Sequence, residues 1–366
     1  HKKSCRTQGE CAMKRLERLR HFMHKENIDA LLVSDAVNRR YVTGFTGTSG
    51  FALVTRDRAL LITDFRYVTQ AREQAPHFHI VQHKGTIWQT VAEQCARLEI
   101  RSLAYEEHHL TVAQFRELEQ ELKGTALKPS DQVVERLRQI KDERELAILQ
   151  KAAEIADRTY EHILSFIREG VTERDVMFEL EFVMRKLGAQ SSSFDIIVAS
   201  GKRSALPHGV ASGKKLEQGD FVTLDFGAVY EGYCSDMTRT VVVGEPSAKQ
   251  RNIYDIVLKA QERVLQGLRP GMTGREADAL ARHYIAERGY GDNFGHSTGH
   301  GIGLDVHEGP LLSHKSETVL QPGMVVTVEP GIYIPDLGGV RIEDDVVITG
   351  SGCKRLTRSE KELVIV

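Results

Sequence analysis

The chain has 366 residues, 41% of them hydrophobic, which is too much for one small core and suits two domains. Lysine and arginine number 49 against 51 acids, so no global field would draw in nucleic acid or an anionic membrane, and neither is expected as a partner. Runs of about 18 apolar residues are missing, which excludes a membrane-spanning helix.

In chain order, residues 1–12 (HKKSCRTQGECA) read as an upstream or vector-derived segment without the apolar core of a secretory signal, and Met13 opens an amphipathic helix. Beyond them stand Cys95, Cys234 and Cys353, far apart and without a CxxC pair, so a reducing cytoplasm is expected. From 13 to 130, strand patterns at 30–34, 51–55, 59–64, 79–83 and 102–106 alternate with helical patterns at 16–25, 65–75, 88–98 and 112–122. That alternation predicts an α/β layer domain. Trp88 starts an apolar helical stripe and reads as core, whereas His77, His79, His83, His108 and His109 read as surface or structural histidines. Weak periodicity places a linker at 131–141, and a second domain of 142–366 follows.

That second domain states one pattern twice. Glu169-Gly170-Val171-Thr172 resembles Pro270-Gly271-Met272-Thr273; helical patterns at 142–167 and 250–268 precede them, and others at 173–187 and 275–288 follow. Thr172 and Thr273 sit where N-caps belong. Residues 216–225 then match 320–329, and each β-rich run ends in a carboxylate, Asp225 or Glu329. A two-residue turn at Tyr230-Glu231 would set Asp225 directly opposite Asp236, with Cβ atoms about 5 Å apart. In the second half, a loop centred on Asp336 would put Glu329 across from Glu343.

Ionised carboxylates on inward strand positions repel one another and lose hydration, and divalent cations remove both costs. Arginines such as Arg239 and Arg341 are the alternative partners. Between the two halves lies HSTGHGIGLDVHE at 296–308, carrying His296, His300 and His307 among glycines that allow close backbone approach. Imidazole suits Mn, Co or Zn. The spacing is neither HExxH nor a phosphate-binding glycine loop. Pro207-His208-Gly209 adds one more histidine, which on its own reads as structural. Cys234 reads as a packed, inert thiol.

These residues resemble the creatinase, aminopeptidase P, prolidase and methionine aminopeptidase superfamily, metallopeptidase family M24. The resemblance rests on PHG at 207–209, LDFGAVYEGYCSDMTRT at 224–240, HSTGHGIGLDVHE at 296–308, VEPGIYI at 328–334 and GGVRIED at 338–344. RYVTGFTG at 40–47 and TDFRY at 63–67 look like the extra domain of the Xaa-Pro peptidases, which methionine aminopeptidases lack. The resemblance implies an α+β pita-bread catalytic domain with an internal pseudo-twofold repeat, preceded by a creatinase-like α/β domain. It also implies two divalent metal ions, manganese first and cobalt or zinc as alternatives, on Asp225, Asp236, His300, Glu329 and Glu343.

By the same resemblance His208 and His307 contact substrate or assist proton transfer, and Glu329 serves as general base and acid. His296 lies near the substrate's second residue and Arg341 at the edge of the site. The implied reaction is hydrolysis of an Xaa-Pro bond by a water or hydroxide shared between the ions, in a homodimer. Such a bond is a tertiary amide without an N–H, so ordinary extended-chain recognition loses a contact. Some dipeptidase relatives carry an arginine soon after the His-Glu step; here Glu308 is followed by Gly309-Pro310-Leu311-Leu312-Ser313-His314, which leaves room for longer peptides. The alternatives are a methionine aminopeptidase-like enzyme and a non-catalytic pita-bread binding protein.

Overall fold

The structure, a computed structural model, describes the backbone of residues 2–366 and side chains from Met13 onward. The side chains of the expected upstream segment therefore lie outside the described residues. The first helix spans Lys2–Lys25, so it does not open at Met13. The chain divides between Arg138 and Gln139 into two compact units.

In the first unit, six strands form one sheet. In sheet order they are His79–Gln82, Ala59–Thr63, Phe51–Thr55, Ala30–Val33, Ser102–Tyr105 and Ala126–Pro129. The three central neighbours pair antiparallel and the outer pairings are parallel. Short apolar runs such as Ala-Leu-Leu-Val become fully buried strands. Helix Ile87–Arg97, closed by a Thr86–Gln89 capping box, packs Trp88, Val91 and Cys95 onto the sheet. Sequence periodicity missed helix Ala36–Thr43, the edge strand Ala126–Pro129 and helix Val133–Arg138. The last of these buries Val133 and Val134, so the 131–141 stretch is no bare linker.

The second unit repeats itself at the level of individual hydrogen bonds. Thr172 and Thr273 each cap a helix, Glu173–Lys186 and Gly274–Glu287, with a capping box. Gly170 N–H donates to Leu216 O at 2.9 Å, and Gly271 N–H to Leu320 O at 2.9 Å. Leu216 N–H returns to Val171 O, and Leu320 N–H to Met272 O. The long helices Glu143–Ile163 and Ala248–Gly267 complete the two halves, each with its own apolar cluster.

Each half ends in an antiparallel sheet. Strands Ile197–Ser200, Phe221–Phe226 and Met237–Val242 form one; Gly299–Gly301, Val325–Val328 and Asp344–Ile348 form the centre of the other. The second-half register agrees with the sequence reading: Val328 pairs Asp344 and Gly331 pairs Arg341, around a loop at Asp336. The first-half register is one step different. Its turn is Glu231-Gly232, both at positive φ (45° and 81°), and Tyr230 pairs Tyr233. Asp225 consequently sits opposite Thr238, and Asp236 falls diagonal to it on the same face. A shift of one full pair keeps the parity of side chains, so both acids still face one side.

Candidate metal centre

Four acids and one histidine converge from these strands. Asp225 lies on Phe221–Phe226, and Asp236 occupies the break just before Met237–Val242. His300 is central to Gly299–Gly301; Glu329 follows Val325–Val328 and Glu343 precedes Asp344–Ile348. The last two main chains leave their ladder and bind elsewhere: Glu329 N–H donates to Thr298 O at 2.8 Å, and Glu343 N–H crosses to Thr238 O at 3.1 Å. That crossing ties the second-half strand to the first-half one. Gly299 has no room for a Cβ, which would strike Thr327 O, so only glycine lets His300's strand lie so close.

Ligand atoms of Asp236, His300 and Glu343 all lie within 4.8 Å of one another. His300 Nδ1 is 2.9 Å from Gly301 O, a carbonyl that can only accept, so Nδ1 carries the proton. Nε2 then offers a lone pair, and it faces Glu329 Oε1 at 3.3 Å and Asp236 Oδ2 at 3.6 Å. Thr327 Oγ1 donates to Glu329 Oε1 and Thr238 Oγ1 to Glu343 Oε2, each steadying one oxygen. Asp225 Oδ1, Asp236 Oδ1 and Glu343 Oε1 are buried without a hydrogen-bond partner. Buried, unpartnered carboxylate oxygens around an imidazole lone pair are a donor set for divalent cations, so the residues fit the expected metals.

Electrostatics say the same. Burial, and then repulsion from Glu343 and Asp225, lifts Asp236 well above the ordinary carboxylate pKa. Burial, then Glu329 and Asp225, lifts Glu343 likewise. Burial also raises Glu329, against the opposing pull of His300 and Arg341. One arginine does meet an acid: Arg341 Nη2 donates to Asp225 Oδ2 at 2.6 Å. Arg341 is thus 3% exposed within the carboxylates, where the sequence had put it at the site's edge. Burial works against its charge, but Tyr333, Asp225, Glu329 and Glu343 hold it well above its usual range. Arg239 instead pairs with Asp344 at 2.8 Å and meets the cluster only through the main chain, Nη1 donating to Glu343 O.

The remaining histidines surround this centre unequally. The His307 ring lies 4.4 Å from that of His300 and is solvent-exposed; burial of its ring atoms and the neighbouring His300 push its pKa down. His208 is exposed on the loop after Ile197–Ser200. His296 is half-buried and engaged at both nitrogens, Nδ1 with Ser297 O at 2.8 Å and Nε2 with Tyr333 Oη at 2.7 Å. Burial drives its pKa to about 4. Sequence reasoning missed Tyr333, Thr238 and Asp345. Thr238 was recoverable from the correct hairpin register. Asp345, whose Oδ2 accepts the Asp236 N–H at 2.9 Å, had no signal beyond adjacency to Glu343.

Both units of the chain resemble known proteins. Residues 147–350 match the family described as metallopeptidase family M24, and residues 15–140 match the creatinase/prolidase N-terminal domain. The chain is 44% identical to the Xaa-Pro dipeptidase of Pyrococcus horikoshii, over 96% of this chain and 98% of that protein. It is similar to the solved structure of an Xaa-Pro dipeptidase from Bacillus anthracis, at 57% identity and TM-score 0.95, covering 97% of this chain and all of that one (100%). An X-Pro aminopeptidase structure from Thermotoga maritima aligns with TM-score 0.88 and 42% identity over 93% of this chain and 98% of its own.

Proposed function

Because the chain belongs to metallopeptidase family M24, a metal-dependent hydrolase family, we propose that it cleaves the Xaa-Pro bond at the N-terminus of dipeptides or short peptides. The observation that carries this reading is the convergence of ligand atoms of Asp236, His300 and Glu343 within 4.8 Å of one another, with Asp236 Oδ1 and Glu343 Oε1 buried and unpartnered. Asp225, Asp236, His300, Glu329 and Glu343 would hold two divalent ions, with manganese favoured by the hard carboxylate donors. Bound there, the ions supply a water of lowered pKa and an electrophile for the scissile carbonyl oxygen.

The chain's own groups then divide the work. Glu329, partly exposed and raised in pKa, exchanges a proton with the attacking water and returns it to the leaving nitrogen. His307 and His208, both exposed, face the substrate as hydrogen-bond partners. His296 has both nitrogens occupied, so it shapes the site as a neutral ring beside Tyr333. Arg341 steadies Asp225 through its 2.6 Å contact. The dipeptidases named above favour a two-residue substrate. Leu311 favours longer ones, being half-exposed on the strand opposite His300 with no cation in its place. We further infer a homodimer, from the family likeness, and a cytoplasmic setting, from the free cysteines Cys95, Cys234 and Cys353 among the described residues. Among the described residues no helix is long and apolar enough to cross a membrane.

The test is hydrolysis by manganese-loaded protein of a matched Xaa-Pro and Xaa-Pro-Yaa pair, with Met-Ala-Ser as control. Cleavage of the dipeptide alone establishes a dipeptidase whose carboxylate anchor is elsewhere than Leu311. Cleavage of the tripeptide establishes an aminopeptidase. Cleavage of the methionine peptide alone sinks the proline reading.

A further inference from the structure

The two halves of the second unit share their helix-to-strand hydrogen bonds but differ just after the cap. In the second half the residue following Thr273 is Gly274, where a Cβ would strike Leu311 O and crowd Ser316 Oγ. In the first half the same place holds Glu173, whose side chain is fully buried. Glu173 Oε1 accepts Ser200 N–H and Oγ–H, both at 2.8 Å. Oε2 accepts Ser212 N–H at 2.9 Å and Oγ–H at 2.6 Å. Arg203 Nε donates to both oxygens, at 3.2 and 3.1 Å.

Ser200 ends strand Ile197–Ser200, and Ser212 leads into the bridge between Thr172 and Lys215. Between them, residues 201–211 form the connection that carries His208, a short 3-10 helix at Gly201–Ala205 followed by a loop. Arg203 braces it crosswise, with Nη2 on Val210 O at 2.6 Å. Apolar packing does not fix the tip, because Leu206 and Val210 on either side of His208 are 52% and 57% exposed. Both ends of the loop and the brace across it therefore meet on one carboxylate, through charge-assisted bonds that are about twice as strong as neutral ones.

We propose that Glu173 is a positioning residue for hydrolysis: it clamps the 201–211 loop so that His208 is presented to the substrate. This rests on the reading of His208 given above. A carboxylate suits the task because it accepts from several donors at once without needing a proton of its own. The departure from the internal repeat is the reason to look here: the second half builds the same helix start with glycine and needs no such clamp.

Glu173→Gln in the full-length, manganese-loaded protein tests it, since the amide keeps the size but turns an N–H toward donors. We expect kcat/KM on an Xaa-Pro dipeptide to fall about 10- to 100-fold with metal content unchanged. Amide exchange should quicken in 200–212 and not elsewhere. In a His208→Ala background the Glu173→Gln substitution should cost little more, because the two act as a unit. Ser212→Ala, which removes one donor, should move the same readouts less. Unchanged exchange in 200–212, or losses that simply multiply in the double variant, would overturn the clamp. Parent-like turnover by His208→Ala would overturn this role for Glu173 as well. If the parent itself cleaves no Xaa-Pro peptide, the functional reading fails, and the exchange experiment still decides the clamp.

Discussion

Asp236 shows how much one side chain can be asked to do. Its backbone N–H is held by Asp345 at 2.9 Å, one oxygen faces His300, and the other has no partner. Burial and the neighbouring Glu343 and Asp225 raise its pKa in the fold above that of an unfolded aspartate, about 4. For a raised carboxylate the folded state binds more protons than the unfolded one. Its contribution is therefore favourable in acid and is lost as pH rises, which makes the ionised group a liability to the metal-free fold near neutrality. Asp236→Asn removes that liability and, on the reading proposed above, a metal ligand together. We expect activity to drop on the order of a thousandfold or more, while the metal-free variant melts a few degrees above the metal-free parent. Calorimetry at neutral pH on chelator-treated samples checks this, and a variant that melts lower would mean Asp236 is structural before it is a ligand.

At the scale of elements, the two hairpins differ in how legible they were. The second-half register follows from Asp336, and Val328–Asp344 and Gly331–Arg341 pair as the alternation requires. The sequence reading sets the first-half turn one residue early, at Tyr230-Glu231, which would oppose Asp225 to Asp236. Backbone geometry decides otherwise: a two-residue turn with both residues at positive φ wants glycine second, and the chain supplies Gly232 there. Glu231 at φ 45° is then the misfit, since ordinary side chains disfavour that region. Glu231→Asn should stabilise the protein by up to about 1 kcal/mol in denaturant melts without altering turnover. A loss of stability would show that Glu231's own contacts outweigh its strain. Elsewhere the sequence was opaque for identifiable reasons. Helix Ala36–Thr43 buries Asn38, Arg39 and Thr43, so polar residues occupy the face that periodicity expects to be apolar. Strand Ala126–Pro129 is a mostly exposed edge in which only Leu127 packs on the core, too little to make an alternation. The acids Asp225 and Glu329 stood out because they close matching runs in the two halves, whereas His300 and the full ligand set came from the family resemblance. Arg341's depth and Tyr333's contact with His296 depend on packing across strands distant in sequence.

For the whole molecule, the decisive feature is that the acids come from both halves of the repeat. Asp225 lies on a strand of the first sheet and Asp236 just before one, while His300 lies on a strand of the second and Glu329 and Glu343 adjoin its strands. Like charges push the halves apart, and on the reading proposed above bound cations would turn the same groups into a cross-link. The balance depends on pH in a definite sense. Asp236, Glu343 and Glu329 are all raised above the ordinary carboxylate range, by burial first. As pH falls, these raised groups take up protons in the fold before ordinary carboxylates would, the repulsion eases, and protons compete with metal for the oxygens. As pH climbs through their raised values, the metal-free protein loses that stability while the metal site gains its ligands. The stabilisation by manganese should therefore grow with pH, from a small shift near pH 5 to about 3 kcal/mol or more near pH 7.5, the latter if manganese is about a hundredfold above its Kd. Melting curves with and without manganese at fixed ionic strength measure it. Amide exchange should locate the effect in Phe221–Phe226, Met237–Val242, Val325–Val328 and Asp344–Ile348, leaving the six-stranded sheet of the first unit unaffected. A metal-induced shift that stays constant or shrinks as pH rises would mean that some other set of groups holds the ions.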